Sequence, residues 1–286
     1  MLARLLALLG LVVVSLLLVL IVRRAWPAGQ AAVPTAPATA RAPHQPRARW
    51  HLPPAPADVR GARSRRMPVP VLMYHVITEA PAGAVNAQLW VKHETFAAEM
   101  QALRRAGYHA ITLRQAFDAW QHGGPLPRKP VVVSFDDGYL SQYRYARPVL
   151  RKLGWPGVLN LELRNLGKGG LSEHQVRALL ASGWELDSHT LTHPDLTTVS
   201  DAQLRVELAG SRRELRRRFG AGVAEFFCYP AGRHDARVLA AVRAAGYRGA
   251  TTVEEGLGTR GQPFALRRVR VNADDTPESL IARLAR

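Results

Sequence analysis

The sequence predicts an α/β protein in which helices cover a mostly parallel sheet. Two observations carry this. Short apolar, β-branched runs alternate with stretches of helical period through most of residues 69–286, and the connections between them are short. That stretch is also long enough for one sizeable core. The number of units fits a closed or nearly closed barrel, with an open doubly wound sheet as the alternative.

Residues 69–75, Val-Pro-Val-Leu-Met-Tyr-His, read as the first strand, with His75 at its end. A helix follows over about 93–106. Phe96, Met100 and Leu103 fall at i, i+4 and i+7, and Gly107 stops it. A short strand near 110–113 and a helix near 115–121 come next. The run 131–135 reads as a buried strand that delivers Asp136 and Asp137 to its end, where Gly138 turns the chain. A helix over about 141–153 ends at Gly154, and 158–161 is a further strand. Ser172 and Gln175 have capping-box spacing for a helix to about 182, and 184–188 is a strand leading to His189 and His193. Ser200 and Gln203 suggest a second capping box, with a helix to about 219 that turns Leu204, Leu208, Leu215 and Phe219 inward. Its five arginines between Arg212 and Arg218 read as a mostly solvated face. Strands near 225–229, 247–252 and 266–271 and helices at 235–245 and 277–284 complete the chain.

Residues 5–22 are uncharged and mostly apolar, flanked by Arg4 and Arg23-Arg24. The run is long for a signal-peptide core and just long enough to span a bilayer. It reads as an uncleaved signal anchor, a transmembrane helix within residues 1–24. A cleaved signal is the alternative, since residues 36–40 have a small-residue pattern, although far from the apolar run. Basic residues on both flanks leave orientation open. Residues 25–68, rich in Pro, Ala and Arg, read as a semi-extended, solvated tether whose Arg60–Arg66 cluster is able to touch lipid headgroups. Residues 69–286 form the folded domain.

The net charge is +17, and only Lys92, Lys129, Lys152 and Lys168 among 39 basic residues are lysines. Codon composition accounts for such an arginine bias; the functional reading is attraction to an anionic membrane or polymer. No nucleic-acid recognition motif accompanies the charge, so no nucleic-acid partner is expected. No glycine-rich phosphate loop is present. The single Cys228 excludes an intramolecular disulfide framework and a cysteine-based zinc site.

Four candidates sit at or just past predicted strand ends: His75, Asp136-Asp137, His189 with His193, and Tyr229-Pro230-Ala231-Gly232. In parallel barrels those ends share the face where active sites are built. Two adjacent carboxylates are costly to desolvate without a positive partner, and a metal ion is the simplest. Two histidines and one carboxylate leave coordination positions open, which is the catalytic pattern. The second carboxylate is then free to act as a base. The spacing of His189 and His193 suits a helical turn or a tight loop, and Pro194 disfavours helix there.

Ser134-Phe135-Asp136-Asp137-Gly138 followed by Ser188-His189-Thr190-Leu191-Thr192-His193-Pro194-Asp195-Leu196 resembles the polysaccharide deacetylases with a NodB-type domain, carbohydrate esterase family 4, over roughly residues 69–275. The resemblance implies a distorted, incomplete (β/α) barrel and metal-dependent N-deacetylation of acetamido sugars. It implies Asp136 as the general base and Asp137, His189 and His193 as ligands of a divalent metal, usually zinc. The family's third motif normally reads Arg-x-Pro-Tyr; here Cys228 replaces the Arg and Ala231 the Tyr, whose role in holding the oxyanion needs only a backbone N–H. The usual C-terminal histidine is absent, since none follows His234. The branch that deacetylates poly-β-1,6-N-acetylglucosamine is more similar: it has a Tyr-Pro-x-Gly turn and a first strand ending in Tyr-His, as at Tyr74-His75. That likeness implies His75 as the general acid. Arg268, in a segment that resembles the branch's C-terminal strand, is expected to supply the missing positive charge near Asp136.

The expected function is therefore a metal-dependent hydrolase that removes N-acetyl groups from an N-acetylglucosamine-containing polysaccharide at the cell envelope. Its partners are the glycan and, through the N-terminal helix, the membrane, with the catalytic domain outside the cytoplasm or secreted after signal cleavage. The alternatives are a catalytically impaired, membrane-tethered glycan-binding domain, and a deacetylase of peptidoglycan or of a lipid-linked sugar.

Overall fold

The computed structural model describes residues 53–285 except Lys168. The expected anchor and most of the expected tether lie outside these residues. Among the described residues, no helix is long and apolar enough to cross a membrane.

Eight strands are present: β1 (Val71–Tyr74), β2 (His109–Ala110), β3 (Pro130–Asp137), β4 (Val158–Leu161), β5 (Glu185–Ser188), β6 (Phe226–Cys228), β7 (Gly249–Glu255) and β8 (Leu266–Arg270). Their order is β1-β8-β7-β6-β5-β4-β3-β2, and β1 also pairs with β3. That pairing closes a parallel barrel of seven strands, with two-residue β2 extending the start of β3. The expected distorted (β/α) barrel is therefore incomplete in strand number, not in closure. Distortion concentrates at β5–β6, joined by one register pair, Ser188↔Phe227, and at the irregular register of β7–β8.

The period-2 alternation of β3 positions the chemistry. Val131, Val133 and Phe135 join the outer core beneath the helices. Val132 instead belongs to the inner cluster with Val71, Val158, Phe226 and Leu266. Ser134 and Asp136 continue the inward series. Helix α3 (Leu113–His122) contributes Phe117 and Trp120 to the same inner cluster, with Phe117 4.5 Å from Phe226 between ring centroids. Each such buried side chain stabilises the fold by roughly 1.5–3 kcal/mol. An apolar floor thus lies under the polar residues at the strand ends.

Helix α2 (His93–Arg105) buries Phe96, Met100 and Leu103, as its spacing predicts. The expected strand at 110–113 stops at Ala110, because Thr112 and Gln115 form a capping box that starts α3 at Leu113. The helix expected over 141–153 is a π turn, Gln142–Ala146, followed by α4 (Arg147–Leu153); Pro148 lacks the N–H that would continue the α ladder. Helix α5 (Glu173–Ala181) opens on the predicted capping box. The helix expected from Ser200 to Phe219 is instead α6 (Asp201–Arg205), a π turn (Val206–Gly210) and α7 (Ser211–Phe219). Its capping box is half formed: the Gln203 backbone N–H donates to Ser200 Oγ, but the Gln203 amide donates to Glu207 instead. Arg212 and Arg216 are not free in solvent; their Nε atoms donate to the carbonyls of Ala224 and Val223. Helices α8 (Ala236–Ala244) and α9 (Pro277–Leu284) match their predicted spans closely.

The described end of the tether is packed, which corrects its expected boundary at residue 68. Val59 is buried and pairs with Leu126. Helix α1 (Gly61–Arg66) follows, and the indole of Trp120 donates to the carbonyl of Met67 at 2.8 Å. Arg60, Arg63, Arg65 and Arg66 are exposed on it.

Candidate metal and catalytic centre

Asp136 leaves β3 facing the barrel interior, and Asp137 turns away with φ 72, ahead of Gly138 at φ 90. Asn165 steadies that left-handed turn by donating Nδ2 to the Asp137 carbonyl at 3.2 Å. Arg268 reaches Asp136 from β8. Its Nη1 donates to Oδ1 and its Nη2 to Oδ2, both at 2.8 Å. Asn160 Nδ2 donates to Oδ1 at 2.8 Å. Arg268 is fully buried and also donates Nε to the Thr252 carbonyl. Burial alone would raise the Asp136 carboxyl; the guanidinium overrides it and holds the group well below the usual carboxylate range. Asp136 is therefore an oriented anion.

His75 ends β1 with Nε2 3.8 Å from Asp136 Oδ2. Gln142 ties the two ends together, donating Nε2 to the carbonyls of His75 and Asp136. Burial lowers the His75 pKa despite the nearby carboxylates, so the ring rests neutral. Its buried Nδ1 has no partner.

Asp137, His189 and His193 form one donor cluster, with ligand atoms within 4.8 Å of one another. Asp137 Oδ1 lies 3.4 Å from His189 Nε2 and 3.8 Å from His193 Nε2. His189 Nδ1 lies 2.8 Å from the Cys228 carbonyl, which only accepts, so Nδ1 is the donor. In the neutral ring, Nε2 is then a bare lone pair facing a carboxylate oxygen. Two acceptors in that position repel unless a cation or a proton lies between them. The histidines are carried by a loop, not a helical turn: Thr190 has φ 72 and His193 φ 57. Strained backbone at two of the three donors, Asp137 and His193, with the Cys228 carbonyl fixing the ring of the first histidine, fits a divalent cation. A second possible set, Asp136, His189 and Cys228, does not fit. Arg268 already binds both Asp136 oxygens and lies 3.3 Å from Cys228 Sγ.

These groups open on a cavity of about 500 Å³, lined also by Tyr139, Glu162, Arg164, Tyr229, Ala231 and Arg270. Ala231 sits on its edge with φ 49, in the short turn Pro230–Gly232. A larger cavity of about 620 Å³ opens among Arg114, Trp155, Trp184 and Glu185. It holds none of the clustered donors, so donor chemistry rather than size locates the site.

The structure thus brings together all seven residues singled out in the sequence. Sequence reasoning missed Asn160, whose signal was a polar residue near the end of an apolar strand; register places it beside Asp136. It also missed Glu207, which carries no local signal.

A family model described as polysaccharide deacetylase matches residues 123–250, a span that contains the Asp pair, both loop histidines and the Tyr229–Gly232 turn. The chain is 32% identical over 206 residues to "Putative polysaccharide deacetylase YxkH" of Bacillus subtilis, covering 71% of each chain. A 56-residue segment is 45% identical to the poly-beta-1,6-N-acetyl-D-glucosamine N-deacetylase of Escherichia coli K12, covering 20% of this chain and 8% of that one. Among solved structures, BC0361, a polysaccharide deacetylase from Bacillus cereus, superposes with TM-score 0.68 at 29% identity, over 77% of this chain and 69% of that one. With the seven-stranded barrel at its base, the chain belongs to the polysaccharide deacetylase family and carries that family's NodB-type domain.

Proposed function

We propose that the chain is a metal-dependent N-deacetylase that hydrolyses acetamido groups of an N-acetylglucosamine-containing polysaccharide at the cell envelope. The observation that carries this is the two-pronged Arg268–Asp136 ion pair beside the Asp137–His189–His193 cluster. The arginine missing from the third motif is replaced in charge by Arg268, so the base keeps its partner. This weighs against a catalytically impaired glycan-binding domain.

Asp137, His189 and His193 would hold a divalent cation, zinc by the resemblance. Such an ion acidifies water and polarises an amide carbonyl. The chain's own residues do the rest. Asp136, ionised and fixed by Arg268 and Asn160, accepts the proton of the attacking water through Oδ2, the oxygen that faces His75. The water oxygen bonds to the acetyl carbon. The Ala231 backbone N–H, held by its left-handed turn, steadies the oxyanion. The C–N bond then breaks as Asp136 passes the proton it took to the neutral His75 ring, 3.8 Å away, and His75 delivers a proton to the departing nitrogen, which returns both side chains to their starting states. Acetate and a free amine result.

The E. coli protein's name supports a β-1,6-linked substrate. The apolar run 5–22 supports a membrane tether with the domain outside the cytoplasm. The test is acetate release by the metal-loaded full chain across β-1,6- and β-1,4-linked N-acetylglucosamine oligomers, peptidoglycan and a lipid-linked amino sugar. The reading expects release from the β-1,6 oligomer above the others. Release from none, with glycan and metal both bound, would favour the binding domain.

A further inference from the structure

Glu207 is fully buried, yet no basic side chain pairs with it among the described residues. It sits in the π turn Val206–Gly210, the irregularity that separates α6 from α7. A π turn inserts one extra residue and rotates the side chains that follow. Here the carboxylate ends up against the loop between the two candidate metal-binding histidines. Its Oε2 accepts the backbone N–H groups of Leu191 at 2.8 Å and Thr192 at 3.1 Å. Its Oε1 accepts the Thr192 hydroxyl at 2.6 Å and the Gln203 amide at 3.1 Å.

The loop is gripped from two sides. Its carbonyls are held by the turn after β4, where Leu163 N donates to Thr190 O and Arg164 N to Leu191 O. Its N–H groups at 191 and 192 are held by Glu207. The two histidines depend on this grip unequally. His189 has its own anchor, Nδ1 on the Cys228 carbonyl, and follows directly from β5. The His193 ring touches only the other two members of the cluster, Asp137 and the edge of the His189 ring, and it stands at the loop's far end, its N–H on Thr190 Oγ1. Left-handed backbone at Thr190 and His193 is strained for side-chain-bearing residues and persists only if the surroundings enforce it.

We propose that Glu207 is a positioning residue, whose carboxylate fixes the 190–193 loop so that His193 stands beside Asp137 and His189. This rests on the proposed metal centre. Charged acceptors bind N–H donors about twice as strongly as neutral ones, and both Glu207 oxygens face donors, which a carboxylate satisfies and an amide would satisfy only by half.

The test is titration of the full chain, in detergent, with Co²⁺. The d–d absorption band reads coordination geometry, and circular dichroism reads folding. Wild type, Glu207→Ala, Glu207→Asp and Glu207→Gln are compared. Outer-shell losses at metal sites typically weaken affinity about 10–100-fold. Glu207→Ala and the shortened Glu207→Asp should bind Co²⁺ at least about tenfold more weakly, with an altered band and an unchanged circular dichroism spectrum. Glu207→Gln keeps one oxygen for the two backbone N–H groups and should lie between them and wild type. Wild-type affinity and band in whichever of Ala and Asp folds would overturn the proposal; if neither folds, a wild-type band and affinity in Glu207→Gln would do so. Wild type that binds no Co²⁺ would instead overturn the metal centre itself.

Discussion

Arg268 and Asp136 meet inside the barrel as a fully buried, two-pronged ion pair, with both N–O distances 2.8 Å. They come from β8 and β3, strands that do not pair with each other but both flank β1. The pair therefore also links the two strands on either side of the barrel's closing strand.

Removing one partner leaves the other charge buried and uncompensated. Arg268→Met should lower stability by about 3–5 kcal/mol and abolish turnover. Arg268→Lys keeps the charge but cannot bridge both oxygens, and should lose most activity while folding. Chemical denaturation and acetate release measure both. Wild-type stability in Arg268→Met would contradict this account of the pair.

Base and metal ligands should separate. Asp136→Asn should lose nearly all turnover while retaining the metal, because Asp136 is not in the fitting donor set. Its amide would face Arg268 and Asn160, so stability should fall as well. His189→Ala should lose metal and activity together. Metal content by elemental analysis, alongside acetate release, distinguishes the two classes. Loss of metal in folded Asp136→Asn would make Asp136 a ligand.

The turn that carries Ala231 depends on Gly232. Its φ is +71, and a Cβ there would lie 2.7 Å from the Val253 backbone nitrogen. Gly232→Ala should lower stability by about 1–3 kcal/mol and displace Ala231. Turnover should fall with metal content unchanged. An unaltered turnover number would show that the position of Ala231 does not matter to the reaction.

Stability should carry a signature of Glu99. Tyr74 donates its hydroxyl to Glu99 Oε2 at 2.8 Å, and Oε1 has no partner. Burial pushes the carboxyl from its ordinary 4.5 up to about 8. Between those values the folded chain holds a proton that the unfolded chain has released. Glu99's contribution is therefore fully present below the unfolded value and falls as pH rises through about 8. Glu99→Gln removes that dependence. At pH 9 it should be more stable than wild type by on the order of a few kcal/mol, with the gap closing towards pH 5. Denaturation midpoints at both pH values measure it, and parallel profiles would contradict a raised Glu99.

Most of the barrel and six of the seven candidate site residues were legible in the residue pattern itself, for physical reasons. The Val131–Phe135 run announces a strand buried on both faces, and the double Asp at its end, by itself the mark of a turn or helix cap, becomes a candidate site through the residues that join it. The arrival of His75, His189 and His193 at other strand ends placed them on one face. Arg268 was legible only by resemblance, since one arginine among so many carries no local signal. Asn160 showed only as a polar residue near the end of an apolar strand, and Glu207 was not legible. Glu207 has the spacing of an ordinary helical residue, and its hold on the Leu191 and Thr192 N–H groups is a tertiary contact that no local pattern announces. Gln203 illustrates the same override: its capping-box spacing is correct, but the Glu207 carboxylate is the better partner for its amide. The tether was set too long because the turn of helix at 61–66 is too short and too rich in arginine to show an apolar face.

The most direct test of the central claim is acetate released from a β-1,6-linked N-acetylglucosamine oligomer by the metal-loaded full chain, measured beside the chelator-treated chain and Asp136→Asn. The account predicts acetate and free amine in equal amounts from the loaded wild type and nearly none from the other two. Equal release by Asp136→Asn, or no release by a wild type that binds both metal and glycan, would contradict it.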